Sequence, residues 1–117
     1  MNWEVDYLPE AREDIHHLDR SKQIIVNKAI KKVKQNPLPQ TEGGLGKPLG
    51  NKLGINLTTL LKIKLRGEGI RIVYKLVRTD TKMLIVVVGA REDEEVYRIA
   101  QRRLISHNVQ PCGDGQG

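Results

Sequence analysis

A chain of 117 residues, 38% apolar and 29% charged, is too short for a two-lobed enzyme and too apolar for a disordered polymer. Its 20 Lys and Arg against 14 Asp and Glu leave a formal charge of +6, unevenly placed: −4 over residues 1–20 and +11 over residues 21–105. Such a basic block attracts polyanions and admits nucleic acid, an anionic membrane surface or an acidic protein as partners, while the lone Cys112 excludes an internal disulfide.

In chain order, Trp3–Leu8 alternates apolar Trp3, Val5 and Tyr7 with Glu4 and Asp6, the period of a half-buried strand. Pro9 suits the first turn of a helix, and Glu10, Glu13 and Asp14 favour its positive end. Leu8, Ala11, Ile15 and Leu18 form its apolar stripe. Asp19 or Ser21 can cap a second helix, with Ile25 or Val26, Ala29, Ile30 and Val33 inward and lysines on the rest, ending at Asn36-Pro37. Two short helices with a tight join predict a helical hairpin lying on a sheet.

Pro37–Asn56 holds three prolines and five glycines and reads as a long loop. Strands follow at about Leu57–Arg66, Gly69–Val77 and Lys82–Gly89, with a turn at Gly67-Glu68-Gly69. Their short connections require antiparallel pairing. Met83–Val88 is apolar throughout, which predicts a strand buried on both faces and is far too short to span a bilayer. Asp93–Leu104 is a last helix with Val96, Ile99, Ala100 and Leu104 inward. The fold class is therefore α+β, ordered β-α-α-β-β-β-α, with a four-stranded antiparallel sheet, a helical hairpin packed on it and a C-terminal helix. Residues 1–105 form one domain and 106–117 a disordered tail. The N-terminal stretch mixes charges with apolar residues rather than carrying the core of a secretory leader, which predicts a reducing, cytoplasmic location.

The candidate chemistry lies on Leu60–Tyr97. Alternation points Leu61, Ile63 and Leu65 to the core and Lys62, Lys64 and Arg66 away from it. Residues two apart on a strand are about 6.5–7 Å apart, so Lys62 and Lys64 can converge on one phosphodiester. Arg71 is just past the turn on the neighbouring strand. Arg91 stands at the mouth of the last helix, whose free N–H groups favour anions, and Tyr97 lies about one turn in, with a ring that can stack on a base.

By spacing alone, a Lys-x-Lys-x-Arg strand face is ordinary solvated surface. Four cations and a tyrosine converging from three strands and a helix, with no acid interleaved on Leu61–Arg66, favour a site. Such a set can cleave RNA through the neighbouring 2′-OH without metal or histidine. A lysine among like charges has its pKa lowered and can act as base, and arginine stabilises transition-state charge. His16 and His17, adjacent on a helix, face differently and are no ligand pair. The Glu92–Glu95 acids are simplest as helix N-terminal charge.

The run Leu61-Lys62-Ile63-Lys64-Leu65-Arg66, then Gly69-Ile70-Arg71-Ile72-Val73-Tyr74, Val88-Gly89-Ala90-Arg91-Glu92 and Glu95-Val96-Tyr97, resembles the RelE toxins of bacterial type II toxin–antitoxin modules. The resemblance spans roughly Trp3 to Ile105. It implies a ribosome-dependent endoribonuclease that cuts mRNA in the A site and leaves a 2′,3′-cyclic phosphate and a 5′-OH. It implies Lys62 and Lys64 as phosphate-holding residues, one of them the general base. Arg71 would stabilise the transition state, Arg91 assist the leaving group, and Tyr97 stack on and orient the nucleotide. It implies no cofactor and no metal. Partners would be the ribosome with its rRNA, mRNA and a cognate antitoxin that covers the basic surface, with DNA met only through the antitoxin complex. The loop before the second strand departs from the family: Lys47-Pro48-Leu49-Gly50 stands where relatives often place an arginine before the glycine, and Lys47 or Lys52 can substitute. With Arg66 these are the expected RNA contacts. The alternative, a ParE-like gyrase inhibitor, shares the fold, but such proteins generally lack the Lys62, Lys64, Arg71, Arg91 and Tyr97 set. A third reading, a non-catalytic basic module, predicts binding that falls steeply with salt.

Overall fold

The elements run β1 (Glu4–Tyr7), α1 (Pro9–His16), α2 (Arg20–Val33), β2 (Lys47–Lys52), β3 (Ile55–Leu65), β4 (Ile70–Val77), β5 (Lys82–Gly89) and α3 (Asp93–Ser106). This computed structural model describes residues 3–52 and 55–107, with the side chains of all of these except 50–52, 55–59 and 93. The tail expected from 106 onward lies, from 108, outside the described residues, and α3 itself continues through Ser106.

The class is α+β as predicted, but the sheet has five strands in the order β1-β5-β4-β3-β2 and is mixed. β1 runs parallel to β5, from Glu4 opposite Lys82 to Tyr7 opposite Ile85, and the other pairs are antiparallel. The extra strand, β2, comes from the stretch read as loop. Pro48 and Gly50 depress its strand signal, yet an edge strand needs partners on one side only, so Pro48 is tolerated opposite Leu61. The β3–β4 turn closes through Glu68 N–H to Leu65 O and Gly69 N–H to Arg66 O, with Gly69 at φ 68°, a left-handed conformation that suits glycine.

Both sheet faces are covered. Val73 and Tyr74, which alternate on β4, are each fully buried. One face carries Leu61, Ile72, Tyr74, Met83 and Ile85 and packs with Ala11, Val26, Ile30 and Val33 of the α1–α2 hairpin in one core. The Tyr74 hydroxyl, its pKa pushed up by burial, donates to Pro37 O at 2.7 Å, just past α2. Gly46 is packed against that hydroxyl: a Cβ there would lie 2.1 Å from it and 2.6 Å from Leu61 Cδ2. Of the two candidate caps, Asp19 is the N-cap residue of α2 and Ser21 lies inside the helix, but the Asp19 side chain makes no capping bond.

β1 lines β5 only as far as Ile85. Beyond it the exposed edge is closed by side chains. Val88 N–H donates to Asp14 Oδ2 at 3.0 Å, and Arg103 Nη1 donates to Val86 O at 2.9 Å. The two side chains also pair with each other, at 2.7 and 3.1 Å. A carboxylate from α1 and a guanidinium from α3 thus stand in for a strand, meeting the rule that backbone groups at such an edge need partners.

Candidate active site

The β3–β4 register sets Lys64 directly opposite Arg71, Lys62 opposite Val73 and Leu60 opposite Lys75. Directly opposed residues share a face with Cβ atoms about 4.5–5.5 Å apart, so Lys62, Lys64, Arg71 and Lys75 stand on one face. On the other side of β3, Lys47 of β2 is opposite Lys62. Of the expected RNA contacts, Lys47 therefore falls in line with the candidate catalytic row and is exposed. Arg66 is exposed too, but in the turn after β3 rather than on the strand face. Lys52 lies on β2, and its side chain is outside the described residues.

Alternation predicts Lys62 as an outward, solvated residue. The structure corrects this: Lys62 is 7% exposed because α3 covers that part of the face. Its ammonium donates to the Tyr97 hydroxyl at 2.7 Å and, at 5.4 Å from the ring centroid, lies nearly in line with the C–O bond rather than over the ring face. Tyr97, 4% exposed, is buried on α3 beside Val96, Ala100 and Leu104. In this arrangement its ring is held by the protein and offers no open face to a base. Lys64, one step further along, is exposed and Arg71 half-buried.

Arg91 joins the group from the turn between β5 and α3. The Arg71 guanidinium donates to the Arg91 carbonyl oxygen, and the Arg91 side chain pairs with Glu95. The five predicted residues therefore form two linked sets, Lys62 with Tyr97 and Arg71 with Arg91, with Lys64 directly across from Arg71.

Two residues escaped the sequence reading. Lys75 is 5% exposed on the same face, and its signal was available in the alternation Arg71, Val73, Lys75. Glu95 reads as helix-end charge and instead touches the site arginine. Among the described residues, no three His, Cys, Asp or Glu side chains gather to hold a metal ion, and no helix is long and apolar enough to cross a membrane. A concavity of about 360 Å³ lies on the helical hairpin, lined by Tyr7, Arg12, Ile15, His16, Gln23 and Asn27, and shares no residue with the cation cluster.

Fold and site together define a class: a small basic α+β protein whose sheet presents lysines and arginines beside a covering helix that supplies a tyrosine. Known proteins of this class are similar to most of the chain. No protein-family model matches it. A protein of Escherichia coli named as RelE-like toxin is 31% identical over 104 residues, covering 89% of this chain and 99% of that one. The mRNA interferase toxin RelE of E. coli K12 is 41% identical over 44 residues, 38% of this chain and 46% of that one. Among solved structures, an E. coli RelE variant in the free state superposes with a TM-score of 0.69 at 26% identity, covering 89% of this chain and 99% of that one. A RelBE toxin–antitoxin complex from Mycobacterium tuberculosis gives 0.61 at 26% identity, covering 80% and 95%. The chain belongs to the RelE family of toxins.

Proposed function

We propose that this chain is the toxin of a type II toxin–antitoxin module and an endoribonuclease that cuts mRNA in the ribosomal A site. The observation that carries the reading is the juxtaposition of Lys62, Lys64, Arg71, Arg91 and Tyr97 at one end of the sheet. A relative named as an mRNA interferase and a fold neighbour that is a toxin–antitoxin complex support it. Relatives named as RelE toxins also disfavour the gyrase-inhibitor alternative.

In this mechanism Lys64 and Arg71, across one strand pair, take the scissile phosphate and the negative charge that grows on it. The substrate's 2′-oxygen attacks phosphorus as Lys62 or Lys64 takes its proton, the P–O5′ bond breaks, and the departing 5′-oxygen, with Arg91 beside it, takes a proton from solvent water. Products are a 2′,3′-cyclic phosphate and a 5′-OH. Tyr97 must give up its buried place beside Lys62 to stack on a nucleotide, so substrate entry and exposure of Lys62 are one event. Residues 1–105 act as a single toxin domain in the cytoplasm, and a cognate antitoxin covers the basic surface. Lys47 on β2, Arg66 in the turn after β3 and Lys52 at the other end of β2 are the RNA contacts of this proposal.

Primer extension on a message held by programmed ribosomes tests this. Expected are cuts within A-site codons with 5′-OH ends, lost on Lys64→Ala combined with Arg71→Ala. Cleavage that survives the double substitution refutes the site. Uncut message together with inhibited gyrase supercoiling refutes the activity.

A further inference from the structure

Arg91 is gripped at both ends. Its carbonyl accepts from Arg71, and its guanidinium pairs with Glu95. Helix α3 begins at Asp93 with Glu92 as N-cap, and Glu92 makes no capping bond. Glu95 therefore occupies the third helical position, where a glutamate ordinarily reaches back to a free amide at the helix start. Here it turns to Arg91 instead. The pair is open to solvent, with 57% and 54% of the two side chains exposed. Exposed pairs of this kind add little to stability, so holding the fold together is a poor account of it.

Geometry gives a better one. Arg71 and Arg91 are both cations, and bringing them to one phosphate sets like charges against each other. A carboxylate bonded to the Arg91 guanidinium offsets that repulsion and restrains the side chain's swing. It uses part of the group's set of five N–H donors and leaves the rest for a phosphate oxygen. The neighbouring Glu94 is exposed on the same turn of α3 and has the same charge.

We infer that Glu95 is a positioning residue for Arg91: it aims the guanidinium at the reacting phosphate without touching substrate. This rests on the endoribonuclease reading and adds to it a dependence on one carboxylate.

The test is steady-state cleavage on programmed ribosomes by the full chain. Glu95→Ala is expected to lower kcat about 10-fold to 100-fold, the range for a misplaced catalytic group, with KM nearly unchanged. Glu95→Gln, which keeps an acceptor, recovers most of the loss. Glu94→Ala removes the same helix-end charge and leaves the rate within about twofold, since it is a surface change away from the site. In an Arg91→Ala background, Glu95→Ala should have no further effect, the signature of one residue acting through the other. The inference is overturned if Glu95→Ala matches Glu94→Ala, or if its effect persists without Arg91. Unaltered protein that cuts no ribosome-bound message overturns the endoribonuclease reading and this inference with it. Normal cleavage by unaltered protein with an inert Glu95→Ala overturns this inference alone.

Discussion

The Lys62–Tyr97 hydrogen bond makes a prediction of sign. The two partners are 7% and 4% exposed, and the bond is 2.7 Å long. A hydrogen bond to a charged group is worth about 1.5–3 kcal/mol net. Taking an ammonium out of water costs several kcal/mol, and the contact returns only part of that. Lys62→Met removes both terms, keeps an unbranched chain of similar volume, and leaves the Tyr97 hydroxyl short of a partner at about 1–2 kcal/mol. Its expected stability is equal to the unaltered protein or up to about 2 kcal/mol higher. Tyr97→Phe does the reverse: the buried ammonium stays and loses an acceptor, at about 1–2 kcal/mol. In the Lys62→Met background the same Tyr97→Phe change should instead recover about 1–2 kcal/mol, because it removes the hydroxyl left without a partner.

Urea unfolding followed by circular dichroism gives the three free energies, and cleavage of ribosome-bound message gives the activities. Lys62→Met should cleave at least about 100-fold more slowly while folding at least as well, because under the proposed mechanism a general base or phosphate-holding cation is gone. Such a split marks a charge kept buried for chemistry rather than for the fold. The reasoning is refuted if Lys62→Met destabilises by more than about 2 kcal/mol, the upper end of the hydroxyl's loss, since the ammonium would then be a structural requirement.

Other outcomes follow from single contacts. Gly46→Ala places a methyl 2.1 Å from the Tyr74 hydroxyl and should lower stability by about 1–3 kcal/mol, seen as a falling melting temperature; an unchanged melt removes the proposed clash. Arg103→Met removes the donor to Val86 O and the partner of Asp14, in a pair whose side chains are only about 20% exposed, at a cost of about 2–3 kcal/mol; a loss under about 0.5 kcal/mol would mean water serves that edge equally well. The Glu10 pKa is held below its ordinary 4.5, first by its own backbone amide and second by the His107 ring. Being depressed in the folded state, it contributes stability that is complete above the ordinary value and lost as pH falls through the folded one. Stability differences between Glu10→Gln and the unaltered protein should therefore vanish in acid below that point and appear above it; a difference largest in acid contradicts the sign.

What was legible in sequence follows the range of the physics involved. Alternation on Leu61–Leu65, the Gly69 turn and the unbroken Met83–Val88 run are local signals, and β3, β4 and β5 stand where they place them. The Tyr7–Pro9 boundary is equally local. β2 is not, because Pro48 and Gly50 look like loop until β3 is present to pair with them. Nor is the place of β1, which joins β5 in parallel across more than seventy residues of chain. The site divides the same way. Lys62 and Lys64 share a face by alternation alone, but burial of Lys62 depends on α3, thirty-five residues away. Arg66 follows the alternation on paper, yet β3 ends at Leu65 and the side chain belongs to the turn. Glu95 is indistinguishable from its acidic neighbours until Arg91 is seen to reach it.

The charge split in the sequence becomes a direction in space. Asp6 stands 3.8 Å from Lys82, Glu10 meets His107 at 2.8 Å and Asp14 holds Arg103. Three of the six acids in the first twenty residues are thus engaged at the β1 side, where they tie β1 to β5 and α1 to the C-terminal end of α3. At the opposite side of the sheet no Asp or Glu occurs from Gly43 to Gly67, and Lys47, Lys62, Lys64 and Arg71 follow one another across β2, β3 and β4. The sheet order β1-β5-β4-β3-β2 therefore runs from acid to base. A polyanion approaching within about 10 Å, the screening length at ordinary salt, is repelled from one end and drawn to the other. Charge of net +6 spread evenly would bind RNA in many orientations. Under the proposed function, charge segregated in this way would turn an RNA strand toward the β2–β3 side, where α3 holds the Tyr97 hydroxyl against Lys62 and that helix face would have to yield for a phosphate to reach the buried lysine.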